Sequence, residues 1–254
     1  MTFFFTYNLF SPLEQFIVIP YTLFGFSFTN QTTVLFLLYV FLIFLVDSLV
    51  CKDFTFYVKP LAWQRFLENI NSLVLSLTMD NIKDKKASRF TPLLYCIFLF
   101  VLFLNLVGLI PFSFTLTSHI IVTFAFALIL FIGINIIGVK KFGIQYFSLF
   151  LPPGTSIVLS LLLVPIELIS YIFKPVSLSI RLFANMMAGH TLLKVIAGFG
   201  FTLMNLGGGL FFLHYLPLLL LIPLLGLELA VALIQTFVFS ILICIYLNDA
   251  LNLH

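Results

Sequence analysis

Arg181 stands among residues that can move protons, and it is the one that cannot. From Gly154 to Ile243 the ionisable side chains other than thiols are Glu167, Tyr171, Lys174, Arg181, His190, Lys194, His214, Tyr215 and Glu228. Carboxylates and imidazoles exchange protons near neutral pH, whereas a guanidinium keeps its charge in any protein environment. Such a cation must be paired or hydrated wherever it is buried. At membrane depth it is costly, and residues of this kind mark ion pathways. On an ideal helix Glu167, Lys174 and Arg181 fall seven residues apart on one face, and Asn185 extends that face by a turn. Glu228, Gln235 and Asp249 lie on a second series of the same spacing, drifting by about 60° over three heptads. A polar stripe on an apolar helix is either a seam facing a partner or a path for water.

These residues need two long elements to carry them. The stretches 154–201 and 210–251 each exceed forty residues without a polar loop, and Gly207-Gly208-Gly209 is the strong breaker between them. Each is roughly 60–70 Å long if helical, about twice the ~30 Å hydrocarbon layer. Either each holds two short spans, or each is one steeply tilted helix bent at Pro165, Pro175, Pro217 or Pro223. An antiparallel hairpin centred on Gly208 sets Glu167 opposite Asp249 and Arg181 opposite Gln235, with His190 near Glu228. That places two proton-exchanging clusters on either side of a cation that does not titrate. Arg181 then lies about 21 Å from the Glu167 level and about 13 Å from the His190 level. His190, nine residues beyond Arg181, falls on the opposite face of a straight helix.

Composition settles the solvent. Hydrophobic residues make up 62% of the chain and charged residues 8%, with a mean hydropathy of +1.23. Soluble domains carry about 25% charged residues, so this is an integral membrane protein. The net charge of +3 is small and scattered, which excludes nucleic acid as a partner. Cys51, Cys96 and Cys244 are odd in number and indicate neither a disulfide frame nor a metal cluster. The N-terminus has no charged leader and no Arg/Ser-rich amphipathic stretch, so the chain is expected to reach its membrane without a cleaved presequence, as an organelle-encoded or bacterial product does.

The fold class that follows is an all-α membrane protein. Residues 1–32 read as an N-terminal surface segment and 33–51 as a first transmembrane helix. Residues 52–91 form a charged segment in which Trp63, Phe66, Leu67, Ile70, Leu73, Val74 and Leu77 repeat at helical spacing. That pattern predicts an amphipathic helix lying at the interface. Residues 92–141 read as a transmembrane helical hairpin, and 154–251 hold the two long apolar stretches. Lys83, Lys85, Lys86, Arg89, Lys140 and Lys141 flank the second and third spans on one side, which marks that side as cytoplasm-equivalent, the matrix in a mitochondrion. The N-terminus then lies outside.

The segment SLSIRLFANMMAGH (177–190) resembles the signature of the subunit a family of the Fo sector of rotary ATP synthases. GLELAVALIQTFVFSILICIYLNDALNLH (226–254) and SPLEQF (11–16) resemble the mitochondrial form in plants, algae and protists, and His190 is similar to the mitochondrial variant of a position where bacterial relatives often carry Glu. The resemblance implies five membrane-embedded elements plus one interfacial helix, with the last two elements a tilted hairpin against a ring of c subunits. It implies proton entry from the intermembrane space at His190 and Glu228 and exit to the matrix at Glu167 and Asp249. Arg181 would be the essential cation and seal, with Asn185 and Gln235 as its polar neighbours. It also implies a mitochondrial inner-membrane location, with the N-terminus in the intermembrane space and the C-terminus in the matrix. The implied partners are the c-ring, peripheral-stalk and other Fo subunits, and membrane lipid such as cardiolipin. No cofactor, metal or nucleotide is implied.

Plainer readings stand beside these. Arg181, Glu167 and Glu228 can be mere counter-charges, Asp249 a solvated helix end, and His190 a packing histidine. Lys174 and Lys194 are expected to snorkel. His119, His214 and His254 are expected at boundaries, and Tyr171 and Tyr215 in packing. The alternative function is a proton-coupled secondary transporter, but no inverted repeat relates 34–139 to 154–251. Paired axial histidines for haem are lacking. No HExxH, GxSxG or P-loop occurs, so the chain is not expected to be an enzyme by itself.

Overall fold

The computed structural model describes residues 13, 16–23, 26–49, 62–82, 87–110, 114–150, 157–206 and 213–252. Helix dominates, with one small exception. Strands β1 (Pro20–Leu23) and β2 (Phe26–Thr29) pair antiparallel within the N-terminal segment. Thr29 then caps helix α1 (Asn30–Leu49): the Thr29 hydroxyl accepts from the Thr32 backbone N–H at 3.3 Å, and the Thr32 hydroxyl accepts from the Thr29 N–H at 3.0 Å. Two orphan donors are satisfied reciprocally, which starts the helix there.

Helix α2 (Ala62–Asn81) turns Leu67, Val74 and Thr78 inward, while Phe66 and Leu73, expected on the apolar stripe, are exposed. Helix α3 (Thr91–Gly108) carries Pro92 in its first turn, where a missing N–H leaves no bond unmade. Helix α4 (Ile120–Phe142) ends with Lys140 and Lys141 in its last turn and Gly143 at φ +60°, a conformation that favours glycine. The basic residues suit the negative end of the helix dipole. Lys83, Lys85 and Lys86 lie outside the described residues, as do Gly207, Gly208 and Gly209.

The choice between two short spans and one long helix falls to the long helix in both stretches. Helix α5 (Ile157–Leu206) runs 50 residues through Pro165 and Pro175, about 75 Å. Helix α6 (Tyr215–Leu251) runs 37 residues through Pro223, about 55 Å. Pro217 falls in the first turn of α6, where it breaks nothing. Among the described residues four helices are long and apolar enough to cross a membrane: Ser88–Gly108, Ile120–Tyr146, Leu161–Asn205 and Tyr215–Leu251. In α1 the described apolar run is the shorter Asn30–Phe41.

The core gathers around the C-terminal half of α6. Phe239, Ile243, Cys244 and Leu247 pack there against Leu94, Ile97 and Val101 of α3, Ala127 and Ile134 of α4, Leu178 and Leu182 of α5, and Val74 of α2. Before Ala232 only Pro217 and Glu228 of α6 are buried. Lys141 Nζ of α4 donates to the Leu251 carbonyl at 2.9 Å, fastening the end of α6 beside the basic end of α4. A second cluster seats Val34 and Leu38 of α1 on Leu104 and Leu116.

Candidate functional site between the two long helices

The register of the hairpin is visible in its close contacts. A Cβ on Gly189 would meet Glu228 Oε1 at 2.8 Å, and a Cβ on Gly200 would meet Pro217 Cγ at 3.3 Å. Both contacts put the centre between residues 208 and 209. Glycine at 189 thus lets the Glu228 carboxylate lie against the α5 backbone.

Glu228 is 5% exposed, and its Oε1 sits 3.5 Å from His190 Nε2. The Gly108 backbone holds the imidazole by a hydrogen bond, and Phe16 meets its ring edge-on at 6.5 Å. Neither His190 Nε2 nor the Glu228 oxygens have a hydrogen-bond partner among the described residues. Nε2 is the ring nitrogen that faces the carboxylate.

A cavity of about 10 Å³, the size that holds one water, adjoins this pair and is lined by Asn105, Asn185, Glu228 and Gln235. Asn105 is fully buried on α3; its Nδ2 donates to the Ala232 carbonyl and to Thr236 Oγ1, both at 3.3 Å. Its Oδ1 has no partner among the described residues. A larger groove of about 250 Å³, lined by Asn185, Ala188, Leu192, Leu227 and Glu228, opens toward the outward face of the hairpin. Asn185 and Glu228 line both spaces.

Arg181 lies on that outward face. It is exposed, next to Ile180 and Ala184, which are exposed too, and it makes no ion pair with a described residue. His190 turns the other way, inward to Glu228. The half-turn between them is what nine residues of helix dictate.

The far end of the hairpin departs from the expected ladder. Asp249 does not meet Glu167; its Oδ2 pairs with Lys174 Nζ at 3.3 Å. Side chains on a helix lean toward its N-terminus, and a lysine stem of about 6 Å spans roughly four residues of rise. Lys174 thereby reaches the level that backbone register assigns to residue 170, alongside Asp249. Glu167 leans further off and has no ion-pair partner among the described residues. Lys174, expected to snorkel, has the rings of Tyr171 and Tyr246 each 5.1 Å from its Nζ. Tyr171, expected only to pack, shares a 2.8 Å hydrogen bond with the Tyr146 hydroxyl and donates to Asn135 Oδ1. This cluster is at the basic end of the molecule, since Lys141 binds α6 two residues beyond Asp249.

Arg181 therefore stands between two polar clusters, about 10 Å along the helix from Lys174 and about 13 Å from His190. Two participants escaped sequence reasoning. Asn105 and Asn135 each interrupt an apolar span, and a lone amide in such a span was the available signal.

The chain matches the model of the ATP synthase A chain family over residues 2–248. It is 50% identical to the ATP synthase subunit a of Pylaiella littoralis, covering 96% of this chain and 99% of that protein. It is 47% identical to the subunits a of Chondrus crispus and Marchantia polymorpha, covering 96% of this chain and 97% and 99% of theirs. A family match over nearly the whole chain, with relatives at this identity and coverage, means that the chain belongs to the ATP synthase A chain family.

Proposed function

We propose that this chain is the subunit that carries protons through the Fo sector by two offset half-channels, with Arg181 as the seal between them. The observation that carries the reading is the outward Arg181 set between an inward His190–Glu228 pair and the Asp249 cluster at the opposite end. A ring of c subunits with mid-membrane carboxylates covers the outward face of α5 and α6. A proton enters from the intermembrane space, passes His190 and Glu228, and neutralises a ring carboxylate in the groove beside Asn185. After nearly a full turn the ring site reaches the far side of Arg181. A fixed cation favours the charged form of a carboxylate, so the proton leaves toward Asp249, Glu167 and the matrix. Because a guanidinium cannot relay a proton, it blocks direct passage between the half-channels. A potential of about 100 mV supplies about 2.3 kcal/mol for each proton that crosses.

In this reading α1 is the fifth spanning element and α2 lies at the matrix interface. The chain sits in the mitochondrial inner membrane, with its N-terminus in the intermembrane space and its C-terminus in the matrix. Arg89, Lys140 and Lys141 support that orientation, since they fall at the same end as Asp249. Peripheral-stalk subunits and lipid such as cardiolipin complete its surroundings, and nucleotide chemistry belongs to other subunits.

The test is Arg181→Ala in membranes holding the whole complex. Proton-driven ATP synthesis is expected to vanish while the complex still assembles. Coupled synthesis in that variant at the unaltered rate overturns the reading.

A further inference from the structure

Phe16 is buried where its neighbours are not. Leu13, Ile17 and Ile19 are 55%, 56% and 47% exposed, whereas Phe16 is 9% exposed. Its backbone N–H donates to the Leu13 carbonyl at 3.1 Å, closing a turn that sets the ring apart from these apolar neighbours. Among the described residues Phe16 joins none of the apolar clusters of the core. The ring contact it does make is with His190, at 6.5 Å between centroids and 82° between planes. One anchored ring in an otherwise exposed run is a contact made to a site, not a share of the core.

The imidazole needs such a contact. A histidine ring turns easily about its last torsion, whose preferences are broad. The hydrogen bond to the Gly108 backbone restrains one ring atom but, being broad in angle, tolerates a rock of the plane. A rock of about 30° away from Glu228 carries Nε2 roughly 1 Å further off. From the observed 3.5 Å, that breaks its contact with Glu228 Oε1. Two restraints at an angle stop the rocking: Gly108 at the end of α3, and Phe16 from the N-terminal segment. Both rest on one frame. The chain beyond Phe16 pairs as β1 and β2 and leads into α1, whose Val34 and Leu38 pack on Leu104 of α3.

We propose that Phe16 is a positioning residue for His190, and that through this ring the N-terminal segment forms one wall of the proton entry. The ring sets the imidazole plane so that Nε2 stays turned to Glu228. This inference deepens the reading of His190 and Glu228 as the entry pair and rests on it.

The experiment uses the whole complex with Phe16→Ala, Phe16→Leu, Phe16→Tyr, Ile17→Ala and His190→Ala in turn. Passive proton conduction is measured after the catalytic head is stripped, and assembly is read from the yield of intact complex. An edge-to-face aromatic pair biases a ring between two settings by roughly twofold to tenfold. Phe16→Ala is therefore expected to assemble but to lose about fivefold in conduction per complex. Phe16→Leu, which fills the space without a ring, is expected to lose about as much. Phe16→Tyr keeps the ring and is expected to conduct within about twofold of the parent. Ile17→Ala, at the exposed neighbour, is expected to leave conduction unchanged. A merely space-filling Phe16 predicts that Phe16→Leu conducts like the parent, and that result overturns the proposal. So does an equal loss in Ile17→Ala, which would assign the effect to the segment and not to the ring. Should Phe16→Ala fail to accumulate, the contrast between Phe16→Leu and Phe16→Tyr decides alone. If His190→Ala conducts like the parent, the entry reading itself fails. If His190→Ala is impaired while Phe16→Ala is not, only the positioning role fails.

Discussion

Gly189→Ala isolates the position of one carboxylate. The new methyl would lie 2.8 Å from Glu228 Oε1 and 3.0 Å from its Cδ, against ordinary contacts of 3.4 Å and more. The carboxylate must therefore retreat by about 0.6 Å. It is the far end of a flexible side chain, so it can do so for about 0.5–1.5 kcal/mol of rotamer strain. Replacing glycine by alanine inside a helix returns up to about 1 kcal/mol. The two effects nearly cancel, and the complex is expected to assemble at parental levels. Function is less tolerant, because an ångström-scale shift of a reacting group can lower a rate about a hundredfold. A loss of roughly tenfold is expected for the smaller movement here. The assay is potential-driven proton uptake by vesicles containing the stripped membrane sector, normalised to the assembled subunit. Uptake within about twofold of the parent in Gly189→Ala would show that the seat of Glu228 on the α5 backbone has no bearing on conduction.

Further outcomes follow from other contacts. Gly138→Ala is expected to displace the Tyr146 ring, breaking its hydrogen bond to Tyr171, and to destabilise the complex by about 1–3 kcal/mol. A thermal midpoint equal to the parent's would contradict that. His119 lies between α3 and α4, outside the spans, where it stacks on Phe114 at 5.1 Å and burial holds it below the ordinary histidine range. The unfolded chain therefore takes up this proton first as pH falls, so stability is complete above about pH 6.5 and declines as pH drops toward the folded value. His119→Phe keeps the stack and removes the titration. The fall in thermal midpoint between about pH 7 and pH 5 is expected to be smaller in the variant than in the parent.

What could be read from residues alone was whatever hydropathy and helical geometry determine. Pro92 and the Lys140-Lys141 pair lie at the ends of α3 and α4 because proline and charge act locally. The half-turn between Arg181 and His190 was legible as a conflict of faces, and the fold resolves it by giving each residue a different neighbour. The glycine-centred register held to within a residue where backbones touch, at Gly189 and Gly200. It failed at Asp249, because backbone register does not include the lean of a long side chain, and Lys174 reached the partner assigned to Glu167. Continuity through Pro165 and Pro175 was open in the sequence, since a proline weakens a helix without saying whether neighbours will hold it together. Asn105 and the Tyr146–Asn135–Tyr171 cluster depend on which helices become adjacent, and no local pattern encodes that.

The uneven burial of α6 has a mechanical consequence. From Ala232 onward the helix is rooted among four others, whereas its first seventeen residues, 215–231, bury only Pro217 and Glu228 among the described side chains. A rod clamped at one end deflects most at the other. The free arm carries the Glu228 groove and the clamped root carries Asp249, so the two ends of the hairpin differ in compliance. Local opening draws on segments with few buried contacts, and amide exchange in the arm will outpace that in the root. If the proposed ring turns against this face, the arm is the part that can follow its uneven surface while the root stays still, like a reed bearing on a wheel.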